Sequence, residues 1–310
     1  MTGDFVITRE HLLALGACID GVEFFDRTYQ DGRAEYQDML DKAVDGGHTD
    51  YASWLLAKIG PTEDTLEVDE INSADTDVVF AGSIRVRTRI VVGCIEAGGG
   101  IEAGRGIEAG GGIEAGDGIK AGRGIEAGWG IKADYGIKAG RGIEAGRGIE
   151  AGWGIKAGDG IKAGRGIEAG EDIEAGRGIE AGWGIKADYG IEAGYGIEAG
   201  RGIEAGDGIK AGRGIEAGWG IKADYGIKAG RGIEAGRGIK AGYGIEAGDG
   251  IKAGRGIEAG EGIEAGRGIE AGWGFGVYAG LHVRITETDH RTIKAASKPD
   301  NIMCGVWEDA

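Results

Sequence analysis

The chain has 310 residues, 70 of them glycine and only 2 proline, and a formal net charge of −17. Collagen needs glycine at every third residue with abundant proline, and a disordered chain lacks the regular apolar residue found here, so both classes are excluded. The charge is uneven. Residues 1–80 hold 18 acids against 5 bases, whereas 95–274 hold 29 against 23, a balance that argues against general binding to nucleic acid or to an anionic membrane.

Residues 1–62 read as a small helical head. Thr8 is placed to cap a first helix carrying Leu12, Leu15, Ile19 and Val22 at helical spacing. Tyr36, Met39, Leu40, Ala43 and Val44 form the stripe of a second, amphipathic helix, stopped by Gly46-Gly47. Thr49 or Asp50 caps a third, with Tyr51, Leu55, Leu56 and Ile59, ended by Gly60-Pro61. Three short helices bury too little to be very stable alone, so the head is expected to dock on the first coils of the repeat array. Residues 63–77 carry seven acids and read as a solvated acidic connector. In 78–94, Ile84-Arg85-Val86-Arg87 alternates like a strand and predicts the first, irregular coil of the next region.

Residues 95–274 repeat one six-residue phrase, Ile-Glu/Lys-Ala-Gly-x-Gly, thirty times without insertion. Side chains alternate along a strand, so Ile and Ala point one way and Glu or Lys the other, while Gly-x-Gly turns the chain. The expected fold is therefore mainly β: a single-chain β-solenoid behind a small α-helical head. Of the sixty glycine slots four hold aspartate, at 134, 172, 188 and 224. Aspartate tolerates a left-handed backbone, so these slots are expected to be corners with positive φ.

The variable residue separates a triangular coil of about 18 residues from a flattened one of 12. Sorted by threes, the row Gly99, Asp117, Tyr135, Trp153 and onward contains no arginine, whereas sorting by twos mixes arginine into both rows. The triangle is favoured, with Ile95, Ile113 and Ile131 stacked on one side. Residues 275–310 continue with alternating apolar residues and end in Ile302-Met303-Cys304-Gly305-Val306-Trp307, a cap on the last coil or a homodimer surface.

The array resembles the hexapeptide left-handed β-helix, which implies a left-handed coil, but its phrase is far stricter. The whole chain resembles a set of uncharacterised bacterial and prophage proteins that join a short helical head, here Leu12-Leu13-Ala14-Leu15-Gly16-Ala17-Cys18, to such arrays and to a tail like Met303-Cys304-Gly305-Val306-Trp307. That resemblance implies an architecture and a bacterial origin and brings no activity.

Hexapeptide acyltransferases also resemble the array, and they place a catalytic histidine on or beside the coils. Here no histidine lies between Cys94 and Gly274, and no loop interrupts the phrase. His48, His282 and His290 read as ordinary head and tail residues, and no metal-ligand spacing is present. No catalytic, cofactor-binding or metal residue is assigned. Three scattered cysteines, no leader-like first segment and no long apolar run predict a reduced, cytoplasmic protein.

The informative feature is the third row of variable residues: Trp129, Arg147, Arg165, Trp183, Arg201, Trp219, Arg237, Arg255 and Trp273. Stacked guanidinium and indole groups either stabilise the solenoid by themselves or form a binding strip. The leading expectation is a non-enzymatic interaction protein that presents these Arg/Trp and the acidic/Tyr corner ladders to a protein partner. A nucleic-acid mimic acting on a DNA-binding enzyme is the alternative, and an acyltransferase-like enzyme the third reading.

Overall fold

The computed structural model describes residues 5–272, 274–281 and 288–309, with Thr288 and Asp289 described by their backbone alone. The chain divides into two compact units, Met1–Lys138 and Ala139–Ala310.

The first unit opens with the head. Among the described residues it holds four helices: α1 (Arg9–Leu15), α2 (Ile19–Thr28), α3 (Tyr36–Asp45) and α4 (Thr49–Ile59). Thr8 caps α1 as its position predicts, accepting from the His11 amide. The single first helix of the sequence reading is two helices. Gly16 takes a left-handed conformation (φ +83°) that ends α1, and Cys18 caps α2, its Sγ accepting from the Gly21 amide. The spacing of Leu12, Leu15, Ile19 and Val22 mimics one stripe, but Ile19 is 76% exposed. The α3 stripe is as read, with Tyr36, Met39, Leu40 and Ala43 buried. Neither Thr49 nor Asp50 caps α4; the N-cap is His48, without a side-chain bond. Val6–Thr8 and Arg33–Glu35 add a small antiparallel pair.

The expected acidic connector is part of the solenoid. Thr65–Val68 pairs in parallel with Ser83–Val86, and Ile71–Ser73 with Ile90–Val92. Its acids face a row of arginines on the next coil: Glu67 to Arg85, Asp69 to Arg87 and Glu70 to Arg89, each at 2.6 Å. All six groups are solvated, so each pair contributes at most about 1 kcal/mol. The head docks on these coils. Val79 and Ala81 belong to its apolar core. Gln37 bridges to them, donating to the Val79 carbonyl at 3.0 Å and accepting from the Ala81 amide at 2.9 Å.

Each regular coil has three strands, one in each of three parallel sheets. Ile113 pairs with Ile95 on one side and Ile131 on the other, so the repeat is 18 residues, and the flattened 12-residue coil is ruled out. We call the face of Ile95–Ala97 the first, that of Ile101–Ala103 the second and that of Ile107–Ala109 the third; the corner after each takes its number. Ile and Ala are buried along the array up to Ile269, with Ala271 half-buried at its end, and the middle Glu or Lys points outward. Each buried Ile is worth roughly 1.5–3 kcal/mol, which offsets much of the backbone entropy of so many glycines.

The glycines are not there for positive φ. Among the described residues of the array only Gly274, where the phrase breaks, has it, and no described non-glycine residue does. Coil-to-coil approach is the constraint. A Cβ on Gly116 would overlap the carbonyl oxygen of Gly98 on the preceding coil. Three of the aspartates, Asp134, Asp188 and Asp224, fill this crowded slot, and all three lie on the first corner. From Asp117 onward, first-corner amide-to-carbonyl distances run from 3.1 to 3.4 Å, as for Tyr135 to Asp117, against 2.5–3.0 Å on the third. The three aspartates thus share the corner whose variable-residue hydrogen bonds are longest, although a Cβ in this slot is as crowded there as on the third corner. Asp172 fills the roomier second glycine slot, where its carboxylate accepts from the Gly190 amide at 2.8 Å.

The second unit repeats this coil from Ile143 onward. Its tail adds Val277–Tyr278 and Ile302–Cys304 to the first face, and Thr292–Ala295 and Val306–Asp309 to the second. The alternation expected through Val283 and Ile285 lies outside the described residues. On the third face the last strand among the described residues is Ile269–Ala271, and Gly268 just before it bridges to Ser297.

Candidate interaction site

The third corner is built by the repeat itself. The variable residue sits between two glycines, and its amide bonds to the carbonyl of its counterpart one coil earlier, as from Trp219 to Arg201 at 2.9 Å. Successive side chains therefore stand one strand spacing apart, roughly 4.8 Å. In the second unit this brings Arg165, Trp183, Arg201, Trp219 and Arg237 into one ladder. The Arg165 guanidinium lies 5.4 Å from the Trp183 ring centroid, and Arg201 lies 4.6 Å from Trp183 and 5.2 Å from Trp219. Arg237 closes on Trp219 at 4.3 Å. Arg201 is thus sandwiched between two indoles.

Arg255 continues the row with a partner the sequence reading missed, Phe275, at 5.9 Å. Its signal was the break of the phrase, where Phe replaces Ile. Arg147 belongs to the same corner of this unit. Trp129 lies in the first unit, on the corner after Ile125–Ala127, and is exposed. Trp273 lies outside the described residues. Trp183 and Trp219 remain 49% and 47% exposed, so the ladder leaves large apolar edges in water.

The other corners differ. The second also carries arginine, but Arg177 and Arg267 are committed to Asp159 and Asp249, each at 3.4 Å, and Arg213 lies over Tyr195 at 4.5 Å. The first stacks Tyr225 on Tyr243, with centroids 5.0 Å apart.

The faces between the corners also divide. On the first and second, lysine and glutamate one coil apart pair regularly: Lys186 with Glu168 at 2.8 Å, Lys210 with Glu192 at 2.7 Å, Lys222 with Glu204 at 2.7 Å, and Lys156 with Glu174. Hydrogen bonds to these carboxylates hold the Lys156, Lys186 and Lys222 ammonium groups above the usual lysine range. In the first unit the bond from Lys120 holds the Glu102 carboxyl below its usual value. The third face of the second unit is different. Lys162 pairs with Glu180 and Lys252 with Glu270, but among the described residues Glu198, Glu216 and Glu234, on three consecutive coils, form no ion pair. Nor do Arg165, Arg201, Arg237 and Arg255 on the adjoining corner.

In the first unit, Asp77 is a functional tie that the sequence reading placed in the connector. It accepts from the Thr49 hydroxyl of α4 at 2.7 Å and from the Cys94 amide at 2.8 Å. Ser53 of α4 donates to Glu96 on the first face. Burial pushes the Glu96 carboxyl up, against the lowering effect of that bond. His48 stacks on Tyr51 at 4.6 Å and meets Phe24 edge-on, which is head packing. Among the described residues no group of three or more His, Cys, Asp or Glu could hold a metal ion, and all three cysteines are free. His282 lies outside the described residues. An open groove of about 860 Å³ runs along the second face, lined by charged rungs such as Lys210, Lys228, Glu246 and Glu264. No helix among the described residues is long and apolar enough to cross a membrane.

No protein-family model matches the chain, and neither a curated protein nor a solved structure is detectably similar to it.

Proposed function

We propose that the chain is a non-enzymatic interaction protein whose third corner is the docking line for a protein partner. The observation that carries this reading is the ladder from Arg165 to Arg237, in which guanidinium groups are held by indoles rather than by acids. Exposed tryptophan and arginine on a rigid backbone are the composition of interface hot spots, because little side-chain entropy remains to be lost on binding. A cytoplasmic, bacterial setting goes with this proposal; it rests on the free thiols and on the resemblance to prophage-type arrays. Immobilised chain should capture a partner from a native host lysate, and the Trp183→Ala/Trp219→Ala variant should lose it with circular dichroism and melting intact. Lost stability with unchanged capture would instead make the ladder purely structural.

The run Glu198, Glu216 and Glu234 gives the nucleic-acid mimic some support. Its charge density decides against it. One carboxylate per coil is one charge per roughly 4.8 Å, against one per roughly 1.7 Å in duplex DNA, and arginine rows border the face on both sides. Inhibition of a topoisomerase by the pure protein would restore the mimic.

A further inference from the structure

Two sets of residues without an ion pair among the described residues lie side by side in the second unit. The third-corner row carries Arg165, Arg201, Arg237 and Arg255, and the third face beside it carries Glu198, Glu216 and Glu234, with no ion pair between the rows among the described residues. Each glutamate lies three positions before the corner residue of its own coil: Glu198 before Arg201, Glu216 before Trp219, Glu234 before Arg237. The surface is therefore a two-track strip, anionic on one track and cationic with indoles on the other. Both tracks repeat with the coil.

We propose that this strip, the docking line inferred above, binds a second copy of the same chain, side by side and parallel. The argument is one of charge and symmetry. A two-fold axis parallel to the solenoid axis and running between the tracks exchanges them. It lays the cationic track of each copy over the anionic track of the other and keeps every coil level with its counterpart. Glu198 then faces the partner's Arg201, and Glu234 the partner's Arg237, each contact occurring twice as an isologous interface requires. Glu216 faces the partner's Trp219. The antiparallel arrangement, with the axis across the tracks, sets arginine on arginine and is disfavoured by like-charge repulsion.

Period supplies the second half of the argument. A partner strand presents same-face side chains every two residues, roughly 6.6 Å, and so drifts out of step with rungs roughly 4.8 Å apart. A second copy has the same rung spacing by construction and stays in register over all these coils. The lysines on the track, Lys162 and Lys252, are neutralised within the chain by Glu180 and Glu270. The first and second faces make poorer candidates, because most of their rungs are already paired, as in Lys186–Glu168, Lys222–Glu204, Lys156–Glu174 and Lys210–Glu192. The second corner is interrupted by Asp159 and Asp249.

The test is the mass of the full-length chain by light scattering and sedimentation at micromolar concentration. The unmodified protein should be a dimer at about 50 mM salt and shift to monomer near 1 M, where the screening length falls to about 3 Å. Reversing one track, as Glu198→Lys/Glu216→Lys/Glu234→Lys, should give a monomer, and so should Arg201→Glu/Arg237→Glu. The two variants mixed should form a one-to-one heterodimer. A monomer under all conditions overturns the proposal, as does a dimer indifferent to salt and to both reversals, which would point to the carboxy-terminal strands. Should either variant lose its circular dichroism spectrum, the salt dependence of the unmodified chain decides alone. A monomeric chain that still captures a foreign partner through Trp183 and Trp219 would sink the self-association and leave the docking line standing.

Discussion

The Arg237 guanidinium lies 4.3 Å from the ring centroid of Trp219, on the preceding coil of the same corner. Eighteen residues separate them in sequence. The contact exists only because the coil is triangular, and it leaves Trp219 47% exposed beside the guanidinium. It is the local form of the surface to which we assign function.

That contact should be measurable as a coupling. A double-mutant cycle of Trp219→Ala and Arg237→Ala, followed by urea unfolding, should give an interaction of roughly 0.5–1 kcal/mol, the range for exposed cation–π pairs. Additive losses would show that the two groups are neighbours without attraction.

Glycine substitutions should separate by slot. At Gly200 a Cβ would overlap the Gly182 carbonyl oxygen, whereas at Gly202 it would stand 3.4 Å from that of Gly220. Gly200→Ala should lower stability by about 1–3 kcal/mol, as overpacking does. Gly202→Ala should be neutral or stabilise by up to about 1 kcal/mol through the unfolded chain. Equal losses in denaturant midpoint would contradict the crowding account.

The strand alternation of Ile and Ala, the 18-residue period and the three distinct corners were legible in the sequence because they depend only on residue order. The role of the glycines was not, since the overlap depends on the distance between coils. The α1–α2 break was hidden because Leu12, Leu15, Ile19 and Val22 keep helical spacing across Gly16. The acids Glu67 and Glu70 looked like linker charges; their arginines lie 18 and 19 residues on, a pairing visible once the period is carried back before Ile95. Phe275 was missed because it stands just past the last full phrase.

Asp77 should hold the head to the first coils. Asp77→Ala leaves the Thr49 hydroxyl and the Cys94 amide without their acceptor and should cost about 1–3 kcal/mol. Hydrogen exchange should accelerate in α4 and leave the strands beyond Ile107 unchanged. Uniform acceleration would mean that the contact is not local.

Glu96 gives a pH dependence of defined sign. Its carboxyl is raised by burial, so the folded state binds the proton more readily than the unfolded chain. Its stabilising contribution is fully present below the unfolded value, about 4.3, and is lost as pH rises through the raised folded value. Glu96→Gln keeps a group that can accept from Ser53 and removes the charge. It should melt higher than the parent at pH 7, and that advantage should shrink towards pH 4. A constant difference across this range would rule out the linkage.

The central claim is that the third corner is the surface a partner covers. Hydroxyl-radical footprinting of the chain, free and partner-bound, reads it directly, because Trp183, Trp219, Tyr195 and Tyr225 are all exposed in the free protein. The account predicts strong protection of Trp183 and Trp219, with Tyr195 and Tyr225 oxidised as before. Protection of Tyr225 with Trp183 and Trp219 unchanged would contradict it.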